Sequence, residues 1–175
     1  MNRQTSLLEK PRYCIDTNVI VSFMKKTENE FYGSDVFKPQ WEFLEDLIAR
    51  GIIIAPKQVE IELLAWCDVI PEMAVWLKQH KYMFVDVEED EQLVSAKRIL
   101  KEYSIYGTTK NYLGDLAVIT LADSMKITVI SLESETQTPS KRRPKIPNIC
   151  KEFDIDAVSF SGFLRREKFG SKSNS

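Results

Sequence analysis

A chain of 175 residues with 43% hydrophobic, 10% aromatic and 29% charged side chains carries enough apolar material for one packed core, which excludes a disordered or fibrous protein. Its 24 Lys and Arg against 26 Asp and Glu give a net charge of -2, so nothing overall marks a strong nucleic-acid or membrane binder. The charge is segregated, however: residues 1–133 carry net -6 and residues 134–175 net +4.

Cys14, Cys67 and Cys150 are an odd number at wide spacing, which matches neither a disulfide framework nor a Cys-x-x-Cys zinc motif and points to a reducing cytoplasm. No apolar run of signal-peptide length opens the chain, and none approaches the roughly 18 residues of a membrane span. The expected protein is therefore cytoplasmic, with no membrane partner. His80, between Gln79 and Lys81, reads as a solvated surface residue. Histidine-based hydrolysis and His-ligated zinc are accordingly not expected.

In chain order, residues 12–15 feed a short strand that stops at Asp16, and Val19 to Met24 begin a helix. Trp41, Leu44, Leu47 and Ile48 recur at helical spacing over 39–50, with Gly51 as the stop. Ile52, Ile53, Ile54 and Ala55 form a β-branched run that suits a strand buried on both faces. Pro56 opens a helix bearing Val59, Leu63 and Trp66; a helix over 72–80, a strand at 82–87 and a helix over 89–103 follow. Leu113, Leu116, Ala117, Leu121 and Met125 predict a helix over 111–126. Ile127 to Ser131 and Ala157 to Phe160 are the last strands. No repeat or linker divides the chain, so residues 1–169 read as one domain and 170–175 as a disordered tail. Alternating strands and helices call for parallel pairing with right-handed crossovers, hence an α/β fold with helices on both faces of the sheet.

Ligands of such sheets gather at the carboxyl ends of the strands. Four acids are expected there: Asp16 after the first strand, Glu62 in the helix after the second, Asp115 opening the long helix, and Glu133 beyond Ser131. Buried like charges repel unless a cation offsets them. A hard divalent ion with oxygen ligands, Mg²⁺ or Mn²⁺, answers that need and suits phosphodiester hydrolysis. Taken singly, an acid at a strand end is more often a helix cap or a solvated surface group than a catalytic one, and it is the four together that point to a site. Thr17 and Asn18 either orient a ligand beside Asp16 or cap the next helix. Glu60 and Glu62 lie about 200° apart around a helix, and Glu62 is nearer the apolar side. Asp123 lies about 12 Å along the helix from Asp115, too far to share a site.

The stretch from Tyr13 through Asp16 to Ile20 resembles the opening strand and first acid of PIN-domain ribonucleases, which include VapC-type toxins. Pro56 to Leu63, ending on Glu62, resembles the family's second signature. Gly114 to Ala122, with Asp115, resembles the third, and Val129 to Glu133 the fourth, where many PIN nucleases have Ser or Thr and then Asp. Glu133 in that place, with Lys145 to Cys150 following, is similar to a PIN-like branch. The resemblance covers about residues 12–165. It implies a three-layer α/β/α sandwich with a mainly parallel sheet, and cleavage of RNA by Asp16, Glu62, Asp115 and Glu133 around Mg²⁺ or Mn²⁺. Thr17, Asn18 and Ser131 would give support. A type II toxin-antitoxin role implies a protein antitoxin, and a homodimer is a further expected assembly. The alternative is a PIN-like binding or scaffold module without activity. Phosphatases of the haloacid dehalogenase type need a second Asp where this chain has Asn18.

Lys141, Arg142, Arg143 and Lys145 are expected beside the acids, as contacts to an RNA backbone or as a plain exposed loop. Arg165, Arg166 and Lys168 read as a polar tail. The five acids within 86–91 read as a solvated loop and helix start.

Overall fold

Strands without a polar face need cover on both sides, and that requirement shapes the molecule. The computed structural model describes residues 9–29, 32–86 and 90–171. Within them Tyr13–Ile15 (β1), Ile53–Pro56 (β2), Phe84–Val85 (β3), Thr128–Ser131 (β4) and Ala157–Ser159 (β5) form one sheet in the order β3-β2-β1-β4-β5. Every neighbouring pair is parallel. The helices are Thr17–Met24 (α1), Lys38–Ala49 (α2), Lys57–Leu64 (α3), Met73–Gln79 (α4), Asp90–Glu102 (α5), Ile105–Thr108 (α6), Leu113–Met125 (α7), Ile146–Glu152 (α8) and Phe160–Arg166 (α9). The fold is thus the α/β class expected, an all-parallel sheet flanked by helices in a three-layer α/β/α arrangement. Among the described residues no helix is long and apolar enough to cross a membrane.

Side chains alternate across a strand, so the central β1 reports which helices lie on which face. The Tyr13 ring meets Phe163 of α9 edge-on, with centroids 5.1 Å apart, and Phe163 in turn meets Phe43 of α2. Cys14 points the other way, toward Cys150 of α8, which packs with α7. Burial pushes both thiols up, Cys150 to about 12, as befits packed groups rather than nucleophiles.

The expected strand at 82–87 shrinks to two residues after a 3₁₀ turn at Lys81–Met83, and position 87 lies outside the described residues. The helix expected over 111–126 begins two residues late, behind a 3₁₀ turn at Lys110–Tyr112. It ends where Lys126 takes a left-handed backbone (φ 54°). The polar-tail reading of Arg165 and Arg166 is corrected: both belong to α9, whose Phe160 and Phe163 are fully buried. Arg166 forks onto Asp156, with Nη2 to Oδ1 at 3.0 Å. Gly170 and Ser171 complete the turn after α9, where Ser171 N–H donates to the Lys168 carbonyl; residues 172–175 of the expected tail lie outside the described residues.

A second correction concerns His80. Its side chain is only 12% exposed, because the ring stacks on Trp76 one turn earlier (centroids 4.3 Å) and Nδ1 sits 2.8 Å from the Trp76 carbonyl. A large aromatic face four residues back on α4 outweighs the polar neighbours in sequence.

If α9 completes the core, Phe163→Ala should lower unfolding stability by about 3–5 kcal/mol, the cost of an aromatic cavity. Arg166→Ala, which breaks an exposed ion pair, should cost about 0–1 kcal/mol. Urea titrations of the two variants give the comparison, and equal losses would contradict this account of the core.

Candidate metal-binding carboxylate site

In the order β3-β2-β1-β4-β5 the chain winds outward from β1 in one direction and then from β4 in the other, so the switch point lies between β1 and β4. Ile15 pairs with Ile130, which sets Asp16, just past β1, beside Ser131, the last residue of β4. Asp16 is 2% exposed; its backbone N–H donates to the Ile130 carbonyl at 3.0 Å. The Ser131 hydroxyl donates to Asp16 Oδ2 at 3.5 Å and accepts the Glu133 backbone N–H at 3.1 Å.

Glu62 enters from α3, where Thr17 Oγ1 donates to its Oε2 at 2.5 Å. Its carboxylate rests against Gly114 in the first turn of α7, in the space that a Cβ on residue 114 would take. The positive end of the α7 dipole favours an anion there. Asp115 is the next residue of that turn. Glu60, by contrast, pairs with Lys57 at 3.6 Å. Asp123 is occupied by Ser95 (2.6 Å), Arg98 (3.0 Å) and Lys126 (2.9 Å). Against the upward push of partial burial, these partners hold its carboxyl below the usual range.

The acids at the sheet edge behave as one electrostatic unit. Burial first, then the charges of Glu133 and Glu62, push Asp16 up to about 7, while the Thr17 N–H and Ser131 hydroxyl pull the other way. Burial, Asp16, Glu133 and Glu62 push Asp115 up to about 8, against Lys145. The two aspartates thus feel the charges of both glutamates, which come from other parts of the chain.

They are not gathered into a chelate. Among the described residues no group of three or more His, Cys, Asp and Glu side chains is close enough to hold a metal ion. Glu133 is held by the start of α8, accepting Lys145 Nζ at 3.1 Å on one oxygen and the Ile146 N–H at 2.7 Å on the other. The donor chemistry nonetheless suits a hard cation, since carboxylate and hydroxyl oxygens are what Mg²⁺ and Mn²⁺ take. Asn18 is exposed and its side chain makes no hydrogen bond among the described residues.

The basic stretch divides in two. Lys141 pairs with Glu102 at 3.3 Å and lies over the Tyr103 ring, and Lys145 holds Glu133. Arg142 and Arg143 are exposed, with no ion pair among the described residues. Asn148 fastens the loop between β4 and α8 by accepting from Thr136 N–H (3.0 Å) and donating to the Thr136 carbonyl (2.8 Å).

Sequence reasoning missed the part played by Gly114. The available signal was glycine in the first turn of a helix, where Ala is favoured by about 1 kcal/mol unless something must approach closely.

The family model described as Domain of unknown function (DUF4411) matches residues 13–170, from β1 to the turn after α9, and the chain belongs to that family. Among curated proteins no match was found.

The raised carboxyls set the sign of a pH dependence. Folded-state values of about 7 for Asp16 and about 8 for Asp115 exceed the unfolded value of about 3.9, so the folded chain holds more protons between these limits. Their contribution to stability is full below about pH 4 and disappears as pH rises through about 7 and 8. Urea midpoints in EDTA should therefore fall from about pH 5.5 to about pH 8.5, and Asp16→Asn should flatten that fall. A midpoint that climbed over this range would contradict the coupling.

Proposed function

We propose that this member of the DUF4411 family is a Mg²⁺- or Mn²⁺-dependent ribonuclease of PIN-like type. The observation that carries the reading is the convergence of Asp16, Glu62, Asp115 and Glu133 on the switch point, with Asp16 and Asp115 raised by burial and by the other acids. An edge that concentrates negative charge in a buried setting suits a cation as its counter-charge. Asp16, Asp115 and Glu62 would hold that cation, with Glu133 assisting from the rim through water. When bound, the ion would supply an activated water and offset the charge that develops on phosphorus.

The chain's own residues do the placing. Thr17 orients the Glu62 carboxylate, Ser131 does the same for Asp16, and Gly114 lets Glu62 approach α7. Arg142 and Arg143 stand in a loop tethered through Lys145 to Glu133, which suits contact with a polyanionic strand. The finer reading is the toxin of a cytoplasmic type II toxin-antitoxin pair, restrained by a protein antitoxin. The second reading, a PIN-like binding module without activity, draws on Glu133, both of whose oxygens are engaged with α8 and Lys145. Mn²⁺ titration discriminates, since a decayed site would not bind the ion.

Cleavage of single-stranded RNA should require the divalent ion and fall by orders of magnitude in Asp16→Asn and Asp115→Asn, with the fold kept. Glu62→Gln should impair cleavage far more than Glu60→Gln. Gly114→Ala should match Glu62→Gln in activity while stability holds or rises, because Ala is better than Gly in a helix by about 1 kcal/mol. Undiminished cleavage in EDTA would defeat the proposal.

Replacing Arg142 and Arg143 with Ser should weaken RNA binding and flatten its dependence on salt by about 0.7 in log-log slope per lost phosphate contact. Affinities at two salt concentrations measure this. Slopes equal to wild type would make the loop a bystander.

A further inference from the structure

Tyr106, on the short helix α6, is completely buried, yet its hydroxyl has no hydrogen-bond partner among the described residues. Its ring is held edge-on by Tyr103 and Tyr112, with centroids 6.4 Å and 5.7 Å away. Phenylalanine would fill the same space without leaving a polar atom unpaired, and buried tyrosine hydroxyls ordinarily find a partner. α6 packs against α7, whose first turn carries Asp115, and the ionisable groups that bear on this hydroxyl are, in order, Asp115, Glu133, Cys150 and Tyr103. The first two belong to the carboxylate site.

Of the two acids, Glu133 already accepts hydrogen bonds on both oxygens. Tyr103 gives its own hydroxyl to Glu152. The Asp115 carboxylate, half-buried at the start of α7, accepts no side-chain hydrogen bond among the described residues, although it is acceptor-only when ionised. An orphaned donor and an acceptor lacking a donor therefore share one neighbourhood, between α6 and the first turn of α7.

We infer that Tyr106 is a positioning residue of the site: its hydroxyl donates to the Asp115 carboxylate in the cation-loaded protein and fixes which carboxylate oxygen faces the ion. A neutral O–H does this without competing with the cation, whereas Lys145 brings a charge of its own. This inference rests on the metal-dependent reading above.

The test is Mn²⁺ binding to the full chain by calorimetry and by the metal-induced rise in thermal midpoint, for wild type, Tyr106→Phe and Tyr103→Phe. The expected result for Tyr106→Phe is metal-free stability equal to or above wild type, with Mn²⁺ affinity reduced about tenfold, the usual scale for an outer partner of a ligand. Tyr103→Phe, which removes the bond to Glu152, should leave Mn²⁺ affinity unchanged. Wild-type affinity in Tyr106→Phe would overturn the inference and leave the metal-dependent reading standing. Loss of metal-free stability or of folding in Tyr106→Phe would also overturn it, because the hydroxyl would then be a structural bond. Failure of the wild-type protein itself to bind Mn²⁺ would overturn both readings together.

Discussion

Like charge held at the edge of a dry sheet is the constraint on which the rest of the site depends. Asp16 leaves a strand buried on both faces and enters α1 at once, so its short side chain has nowhere to retreat. Asp115 is similarly fixed by the first turn of a thirteen-residue helix. Burial first, and then the repulsion, therefore raises the pKa values of the two aspartates. The glutamates, each a methylene longer, can swing. Glu62 reaches Thr17, and Glu133 reaches Lys145 and the N–H of Ile146. Short acids stay at the centre and take up protons there, while long acids reach hydrogen bonds further out.

That division ties the acidic centre to the basic C-terminal third. Glu133 is at once a member of the coupled acids and the clasp of α8. Ser131 receives its backbone N–H, so a single turn after β4 links Asp16, Glu133 and Lys145. The charge segregation visible along the chain thus becomes a spatial one, acids at the switch point and cations along the loop that borders it. Movement of Lys145 away from Glu133 would deepen the negative field at Asp115, whose carboxyl Lys145 holds down.

The central strands and the long helices were legible because strong periodicity and β-branched runs report burial directly. Ile53 to Pro56 and Val129 to Ser131 are buried throughout, as a strand covered on both faces must be. The order of the acids along the strand-helix alternation likewise placed them at one sheet edge. Three short helices were not legible, although the seven-residue α4 was: α6 spans four residues, and α8 and α9 seven each, few turns for a hydrophobic stripe to stand out from a loop. α9 was further masked by Arg165 and Arg166, whose charges outweighed Phe160 and Phe163 when read in sequence. The Glu133 hydrogen bonds and the unpaired Tyr106 hydroxyl had no sequence signal, because the first depend on how the loop after β4 folds back and the second on the burial of a four-residue helix.

α9 also explains why a three-residue strand can carry the first acid. β1 is too short to be held by its ladder alone, yet its flanks are secured from the C-terminus. Tyr13 donates to Glu167 at 2.6 Å, Arg12 pairs with the other oxygen of Glu167 at 2.9 Å, and Phe163 packs on the Tyr13 ring. Burial and the Glu167 carboxylate push the Tyr13 phenol up to about 12, so it remains a donor throughout the range in which Asp16 titrates. The position of Asp16 at the sheet edge is thus set by contacts made more than 140 residues later in the chain, and core packing and site geometry meet in the same short strand.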